Sequence, residues 1–488
     1  VANGLAMLDP RPVFYVIGLL VLGLGAAMAA PAVVEVAYGS EDWRVFALSG
    51  AITIFFGGAM TGACREQRSA GLSLQQSFLL TTSAWLALPI FGALPFMLGE
   101  PNARFVDAFF EAMSGITTTG SSVFTGLETL PKGVLLWRGM LQWFGGIGFL
   151  VFAMVFLPTM RVGGMQFFKS EAFDTLGKIL PRAVEIAQSI GWIYLVLTGL
   201  CMFAYAAVGM SAFDATVHAM TTIATGGFSN NDASFGAYAP GAEYVGSFFM
   251  LLAALPFVRF VQLAAGSARP LFVDPQVKAF LCLVAVVAGV LTLFLVIEAG
   301  GFRESNLREA LFNAVSILTG TGYASVDYQN WGAFPVTVIF ILGFIGGCSG
   351  STSCSIKIFR FQILAAALTT QIRLLHSPNG VFTPRYAGRP VPEDVITSVM
   401  SFLFFFLLSF GALAITLSMI GLEPITAISG AASAIANIGP GLGPEIGPAG
   451  NFAGLPDSAK WVLSFAMLLG RLELLTVLVL FTSAFWRG

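Results

Sequence analysis

Charge is what this sequence has least of. Only 10 % of its 488 residues are Asp, Glu, Lys or Arg, against about 25 % in an ordinary soluble domain, so the chain reads as a membrane protein along its length. Its 24 basic and 26 acidic residues leave a net charge of −2, which gives no case for nucleic acid as a partner. His218 and His376 are the only histidines and lie in unrelated segments. They can supply neither a histidine metal centre nor a Ser/His/Asp constellation. Cys64, Cys201, Cys282, Cys348 and Cys354 show no paired metal spacing and are expected to be free thiols, without a disulfide framework. No Walker-type or dinucleotide loop occurs, and the longest cytoplasmic stretches, about 159–183 and 371–393, cannot fold as nucleotide-binding domains. The expectation is a protein that is not an enzyme and binds no nucleotide itself.

Apolar residues make up 56 % of the chain, with 46 Phe. A span needs about 20 apolar residues. By that measure ten spans are expected, at 13–35, 44–64, 75–97, 134–158, 184–209, 243–266, 278–299, 333–370 (interrupted), 394–420 and 460–486. The first apolar run, Pro12 to Val34, is long enough to be a span and is not expected to be a cleaved signal.

Between the last eight spans lie four short segments that align without a gap: 111–122, 218–229, 313–324 and 430–441. The second column is Ala throughout (Ala112, Ala219, Ala314, Ala431). The fourth is a hydroxyl residue (Ser114, Thr221, Ser316, Ser433) and the tenth is Gly (Gly120, Gly227, Gly322, Gly439). Each segment is too short to cross a bilayer. The apolar part before each, such as Phe105 to Ile116, suits a half-membrane helix, and the Gly-rich steps after it cannot continue as helix. Non-helical backbone at membrane depth survives only when shielded by protein or lining a wet cavity. Four such loops imply one shared cavity. The fold class expected is an all-α polytopic membrane protein, with four tandem span–pore-loop–span repeats around a central pore and two extra helices before them. The divisions are 1–70 for the extension and 71–160, 161–268, 269–375 and 376–488 for the repeats.

A cation crossing such a pore must exchange water for protein oxygens, and rings of backbone carbonyls supply these without burying formal charge. The steps with suitable character are Thr118-Thr119-Gly120, Thr225-Gly226-Gly227, Gly320-Thr321-Gly322 and Asn437-Ile438-Gly439. The only acid or base near them is Glu111 or His218 at a window start. With a cytoplasmic N-terminus, most Lys and Arg fall on the cytoplasmic side, Lys357 and Arg360 among them, and Arg138 falls outside. The windows then lie externally, with acids such as Glu100, Asp107, Asp214 and Asp232 at the mouth. Asp107 and Asp214 are read as caps of the re-entrant helices, His218 as a packed histidine, and Gly145, Gly146 and Gly148 as close-packing positions behind the first loop.

TTTG (117–120), ATGGFS (224–229), TGTGY (319–323), ANIGPGLG (436–443), WFGGIGFLVF (143–152) and GRLELLT (470–476) together carry a family resemblance. The chain resembles the TrkH/KtrB/HKT superfamily of potassium transport proteins, and its two extra N-terminal spans look like TrkH. That resemblance implies a selectivity filter at Gly120, Gly227, Gly322 and Gly439, with potassium as the transported ion. Ser at the first filter glycine accompanies sodium transport in the plant branch, so Gly120 favours potassium. It also implies a homodimer with one pore per protomer in a bacterial inner membrane, contacting lipid. A cytosolic nucleotide-binding regulatory ring of the TrkA type is implied as partner. That ring would dock on basic residues such as Arg161, Lys169, Lys178, Arg182, Arg373, Arg385 and Arg389, unless these merely obey the positive-inside rule.

Two features lie below the expected filter. The interrupted span breaks at Gly346-Gly347-Cys348-Ser349-Gly350-Ser351-Thr352-Ser353 and is expected to resume at Ile356. It is either a glycine-rich hinge or, as the resemblance favours, a loop gate across the pore. Arg471 and Glu473 sit within the apolar last span, where charge is costly and usually functional. Arg471 is either architectural or, by resemblance, a barrier to cations in the path; Glu473 is read as a structural partner between helices.

Overall fold

The structure is a computed structural model describing residues 9–65, 72–155, 160, 163–165, 167 and 183–487. The basic residues Arg161, Lys169, Lys178 and Arg182 lie outside the described residues. Helices follow the apolar runs. First come α1 (Arg11–Ala37), α2 (Trp43–Ala63) and α3 (Leu74–Leu98). Then follow α4 (Phe105–Ile116), α5 (Lys132–Val155), α6 (Ala183–Ala207) and α7 (Ala212–Ile223). Next are α8 (Pro240–Ala253), α9 (Phe257–Ala264), α10 (Pro275–Glu298), α11 (Glu304–Leu318) and α12 (Ala333–Leu342). The chain closes with α13 (Ile358–His376), α14 (Glu393–Ile420), α15 (Pro424–Ala436), α16 (Asp457–Arg471) and α17 (Leu475–Phe481). Among the described residues eight helices can cross a membrane, or ten if each of two bent pairs counts as one span. Seven of the ten follow expected apolar runs, the two bent pairs fall on 243–266 and 460–486, and Ile358–His376 takes only the second part of the run 333–370.

The short helices α4, α7, α11 and α15 end at the sixth or seventh column of the four windows. Their walls are protein: α4 is buried from Ala108 to Ile116. Of the spans, α5 buries 72 % of its most apolar stretch and α14 only 17 %, so α5 stands at the centre and α14 faces outward. One apolar cluster gathers α1–α5 with α14–α16, and a second gathers α6–α12. All five cysteines are free.

Three sequence expectations are corrected. The runs 243–266 and 460–486 are not continuous spans. The first turns by 89° between α8 and α9, and the second by 106° between α16 and α17. Pro256 cannot continue α8 as a hydrogen-bonded helix. At the second turn Glu473 and Leu474 take left-handed backbone, φ 62° and 43°. The interrupted span leaves the helix after Leu342 and resumes at Ile358, with Ile345–Gly346 (β1) and Ile356–Lys357 (β2) paired in parallel between. Asp107 and Asp214 are not the N-caps of α4 and α7. The caps are Arg104 and Ser211, and the acids sit in the first turn, where the helix dipole favours them. There Asp107 binds Lys460 at 2.6 Å, and Asp214 accepts from Ser211 Oγ at 2.7 Å.

Candidate functional site

The four windows share one backbone geometry. Their eighth residues are all left-handed: Thr118, Thr225, Gly320 and Asn437 at φ 51°, 50°, 72° and 52°. So are their tenth residues, Gly120, Gly227, Gly322 and Gly439, at φ 89°, 81°, 82° and 112°. Each ninth N–H bonds back to the fourth-column carbonyl: Thr119 to Ser114 at 2.9 Å, Gly226 to Thr221 at 2.8 Å, Thr321 to Ser316 at 2.8 Å and Ile438 to Ser433 at 3.0 Å. This is the Schellman closure of a helix end. Left-handed backbone costs a non-glycine residue about 1–3 kcal/mol and clusters at functional sites. Thr118, Thr225 and Asn437 share that strain at equivalent places.

The windows also close on one another. A Cβ built on Gly120 would strike the carbonyl oxygen of Gly226; one on Gly227, that of Thr321; one on Gly322, that of Ile438. A Cβ on Gly439 would lie 2.9 Å from the Thr119 oxygen. The contacts run first to second to third to fourth and back to the first, so the loops form a ring in chain order. Only glycine permits that approach together with a positive φ. A cavity of about 150 Å³ on one side of the ring is lined by all four glycines. Its charged lining consists of Arg138 and Asp232. Asp232 accepts the N–H groups of Gly126 at 2.7 Å and Leu127 at 3.1 Å, so it is less free to draw cations than an open acidic mouth would be.

Polar straps hold each loop to its own short helix. Glu111 binds the Val123 N–H at 2.8 Å; His218 Nε2 lies 3.1 Å from Ser229 Oγ; Asn313 donates to Ser325 Oγ at 3.0 Å. In the fourth window Ser429 takes the role, accepting the Leu442 N–H at 2.8 Å. His218 is thus a packed, hydrogen-bonded histidine, its Nδ1 on Asp214 O at 2.8 Å. Gly145 and Gly146 are close-packing positions: a Cβ on Gly145 would overlap Ile116 O, and one on Gly146 would lie 2.6 Å from Tyr194 Oη.

Sequence reasoning missed two residues on α5. Arg138, placed outside the membrane by charge counting, is buried. Its Nε binds Glu111 at 2.8 Å, and it donates to Ser229 O at 2.8 Å. Gln142 donates to Gly226 O and accepts the Phe228 N–H at 3.0 Å. Their signal was polarity at i and i+4 within an apolar span.

Residues 346–353 pack on the turn between α8 and α9 and lead to Cys354, which meets the ring at its eighth residues, away from the cavity that the tenth residues line. The turn between α8 and α9 leaves carbonyls free, and the loop uses them: the Cys348 N–H binds Ala254 O at 3.0 Å and the Thr352 hydroxyl binds Ala253 O at 3.0 Å. Ser349 N donates to Gln276 Oε1 at 2.8 Å, Gly350 O accepts from Phe257 N at 2.9 Å, and Gly347 N donates to Ser353 Oγ at 2.8 Å. Ser351 Oγ donates to Cys348 O at 2.6 Å, and Gly346 carries the β1 pairing. The loop ends on Cys354. Its Sγ is 3.6 Å from Thr118 Oγ1, and its Cβ would be 3.3 Å from a Cβ on Gly320. Arg471 reaches the same point, donating to Cys354 Sγ at 2.6 Å, Thr352 O at 3.3 Å and Gly145 O at 3.4 Å. Glu473 pairs with Arg360, and Lys357 donates to Ser353 O. Lys357 and Arg360, expected in the cytoplasm, are buried. Charge counting fails here because both follow a loop that dips into the protein.

Comparison with known proteins finds one family and full-length relatives. The family described as TrkH, cation transport protein, matches residues 43–487. The chain is 46 % identical over 478 residues to the Trk system potassium uptake protein TrkI of Halomonas elongata, covering 98 % of this chain and 97 % of that one. It is 34 % identical to the Trk system potassium uptake protein TrkH of Escherichia coli K12, covering 98 % and 99 %. The crystal structure of the potassium transporter TrkH from Vibrio parahaemolyticus superposes with a TM-score of 0.90 at 33 % identity, covering 98 % of this chain and all of that one.

Proposed function

The chain belongs to the TrkH family of cation transport proteins, and from that premise we propose that it takes up potassium through one backbone-lined pore, driven by the membrane potential. The ring contact of four glycines with the preceding carbonyls of their neighbours is the observation that carries this reading. The filter is assigned to residues 118–120, 225–227, 320–322 and 437–439, the pore units to the four divisions given above. A monovalent cation gains about 2.3 kcal/mol per 100 mV of inside-negative potential, enough to drive uptake without a chemical step.

Residues 346–353 act as the gate, and Arg471 as the barrier that the gate holds in place. Arg471 donates to Thr352 O in the loop and to Cys354 Sγ just after it, and Cys354 in turn contacts Thr118 under the filter, which supports both roles. Coupling to sodium or protons is the competing reading, and it needs a carboxylate free to bind the coupling ion. Asp232, which lines the cavity, accepts the Gly126 and Leu127 N–H groups, and the buried Glu111 and Glu473 are engaged by Arg138 and Arg360, which favours uncoupled flux. The relatives are Trk system proteins of bacteria, which supports a bacterial inner membrane; a homodimer with both termini cytoplasmic completes the proposal. The Trk system names also support a nucleotide-binding regulatory ring of the TrkA type, docking near the exposed Arg373, Arg385 and Arg389.

Rubidium uptake into proteoliposomes holding an inside-negative potential, with no sodium or proton gradient, tests the proposal. Uptake that saturates and is competed by potassium is expected. Uptake that appears only when a sodium or proton gradient is added would replace it with the coupled reading.

A further inference from the structure

The second window is built differently from its neighbours. Its ninth residue is Gly226, where the others carry Thr119, Thr321 and Ile438. In the first and third windows that threonine is braced within its own loop. Thr119 Oγ1 lies 2.8 Å from Thr117 Oγ1, and Thr321 Oγ1 lies 2.7 Å from Thr319 Oγ1. The second window has Ala224 at the seventh position and no side chain at the ninth, so it cannot form that brace.

The space is taken from outside the repeat. Gln142 on α5, fully buried, donates its Nε2 to Gly226 O and accepts the Phe228 N–H on Oε1 at 3.0 Å. The two bonds straddle Gly227. A Cβ built on Gly226 would overlap the Gln142 carboxamide, so the amide and a ninth side chain exclude one another. The Gly226 oxygen is also the atom that Gly120 packs against. Among the described residues, the equivalent carbonyls of Thr119, Thr321 and Ile438 receive no hydrogen bond.

We propose that Gln142 is a specificity-determining positioning residue: it replaces the missing ninth side chain, fixes the direction of the Gly226 carbonyl, and so makes one of the four ring oxygens a different ligand from the other three. An oxygen already accepting an N–H offers less electron density to an ion and cannot turn to follow a smaller one. Without the amide the Gly226 peptide, flanked by glycine and carrying no side chain, is free to rotate, and the ring loses its discrimination on that side. This inference rests on the filter assignment above.

The test measures the ratio of rubidium to sodium uptake in proteoliposomes. Gln142→Leu keeps the bulk and removes both bonds, and the ratio should fall about tenfold while total cation flux persists. The triple variant Gln142→Ala, Ala224→Thr, Gly226→Thr transplants the brace of the first and third windows and should restore most of the ratio. A rescue of that kind would not follow if Gln142 only filled space. Gly227→Ser serves as the reference for the filter itself. If Gly227→Ser shifts the ratio while a folded Gln142→Leu protein keeps the native value, the filter stands and the role of Gln142 is overturned. If neither shifts it, the filter assignment falls as well. Should Gln142→Leu fail to fold, the triple variant decides: folded with a near-native ratio it supports the brace, and folded with the ratio lost it overturns it.

Discussion

The ring of loops and the floor beneath it lie within hydrogen-bond distance and are made of opposite materials. The ring is main chain, held by glycines and hydroxyls, with four near-equivalent members. The floor is side chain: Lys357, Arg360, Arg471 and Glu473, all buried, three cations to one carboxylate. The ring draws on all four windows; the floor draws only on residues 357–360 and 471–473. A ring of neutral oxygens can replace water around a cation at little net cost, whereas buried positive charge opposes its passage. Under the function proposed above, selection belongs to the ring and refusal to the floor, and the two can be broken separately.

The largest effect is expected at the floor. Arg360→Met leaves Glu473 buried without its partner, which costs about 3–5 kcal/mol for a buried pair broken on one side. Thermal unfolding in detergent should show a large loss for the single variant and recovery of most of it in Arg360→Met, Glu473→Leu. A single variant as stable as the parent would mean that the pair does not hold the turn after α16. The ring should respond next, and by degree. Gly322→Ala and Gly227→Ala place a methyl group onto a neighbouring carbonyl, while Gly439→Ala brings it to 2.9 Å of Thr119 O. Each adds about 1–3 kcal/mol of left-handed strain. Rubidium-over-sodium uptake should therefore be lost in the first two and partly kept in the third. Equal loss in all three would mean that strain, and not the inter-loop contact, sets the requirement for glycine.

The ring was legible because it repeats. Four aligned windows located the short helices and the glycines from residue types alone, whereas the left-handed backbone of the eighth residues emerged only in the structure. The floor was legible only where charge stood out in an apolar run, as Arg471 and Glu473 do. Lys357 and Arg360 follow a loop that re-enters the protein, and charge counting placed them in the cytoplasm. Arg138 was placed outside for a similar reason: a cation near a span end reads as solvated unless its buried partner, here Glu111, is known. The turns at 254–256 and 472–474 left little trace beyond Pro256. Their causes are tertiary: the first releases carbonyls to residues 348 and 352, and the second sends Arg471 and Glu473 to different neighbours.

A more moderate effect separates refusal from architecture. Arg471→Met removes the charge beneath Thr118 together with its bonds to Cys354, Thr352 and Gly145. Lowering the barrier by about 1.4 kcal/mol corresponds to a tenfold rise in flux, and a rise of about that size is expected in proteoliposomes, with the rubidium-to-sodium ratio nearly unchanged. Removing Gly350 and Ser351 should act in the same direction by pulling the loop away from α8. A change of ratio without a change of flux in Arg471→Met would move this side chain from the floor to the filter.

The smallest expected effect tests whether the four members of the ring are interchangeable. Thr319→Val keeps shape and deletes one hydroxyl that bonds to Thr321 Oγ1 at 2.7 Å. The same hydroxyl also donates to Ser316 O at 3.2 Å; neutral hydrogen bonds contribute about 1 kcal/mol each, so selectivity should weaken only severalfold. Thr117→Val removes the corresponding bond, but there Thr119 Oγ1 also accepts from Asn437 Nδ2 at 2.9 Å. That second donor should keep the first loop in place and leave its selectivity closer to the parent. Uptake ratios for the two variants, measured side by side, should thus be ordered Thr319→Val below Thr117→Val. The reverse order would mean that the Asn437 bridge does not support the first loop, and that the fourth repeat contributes to the ring through its backbone alone.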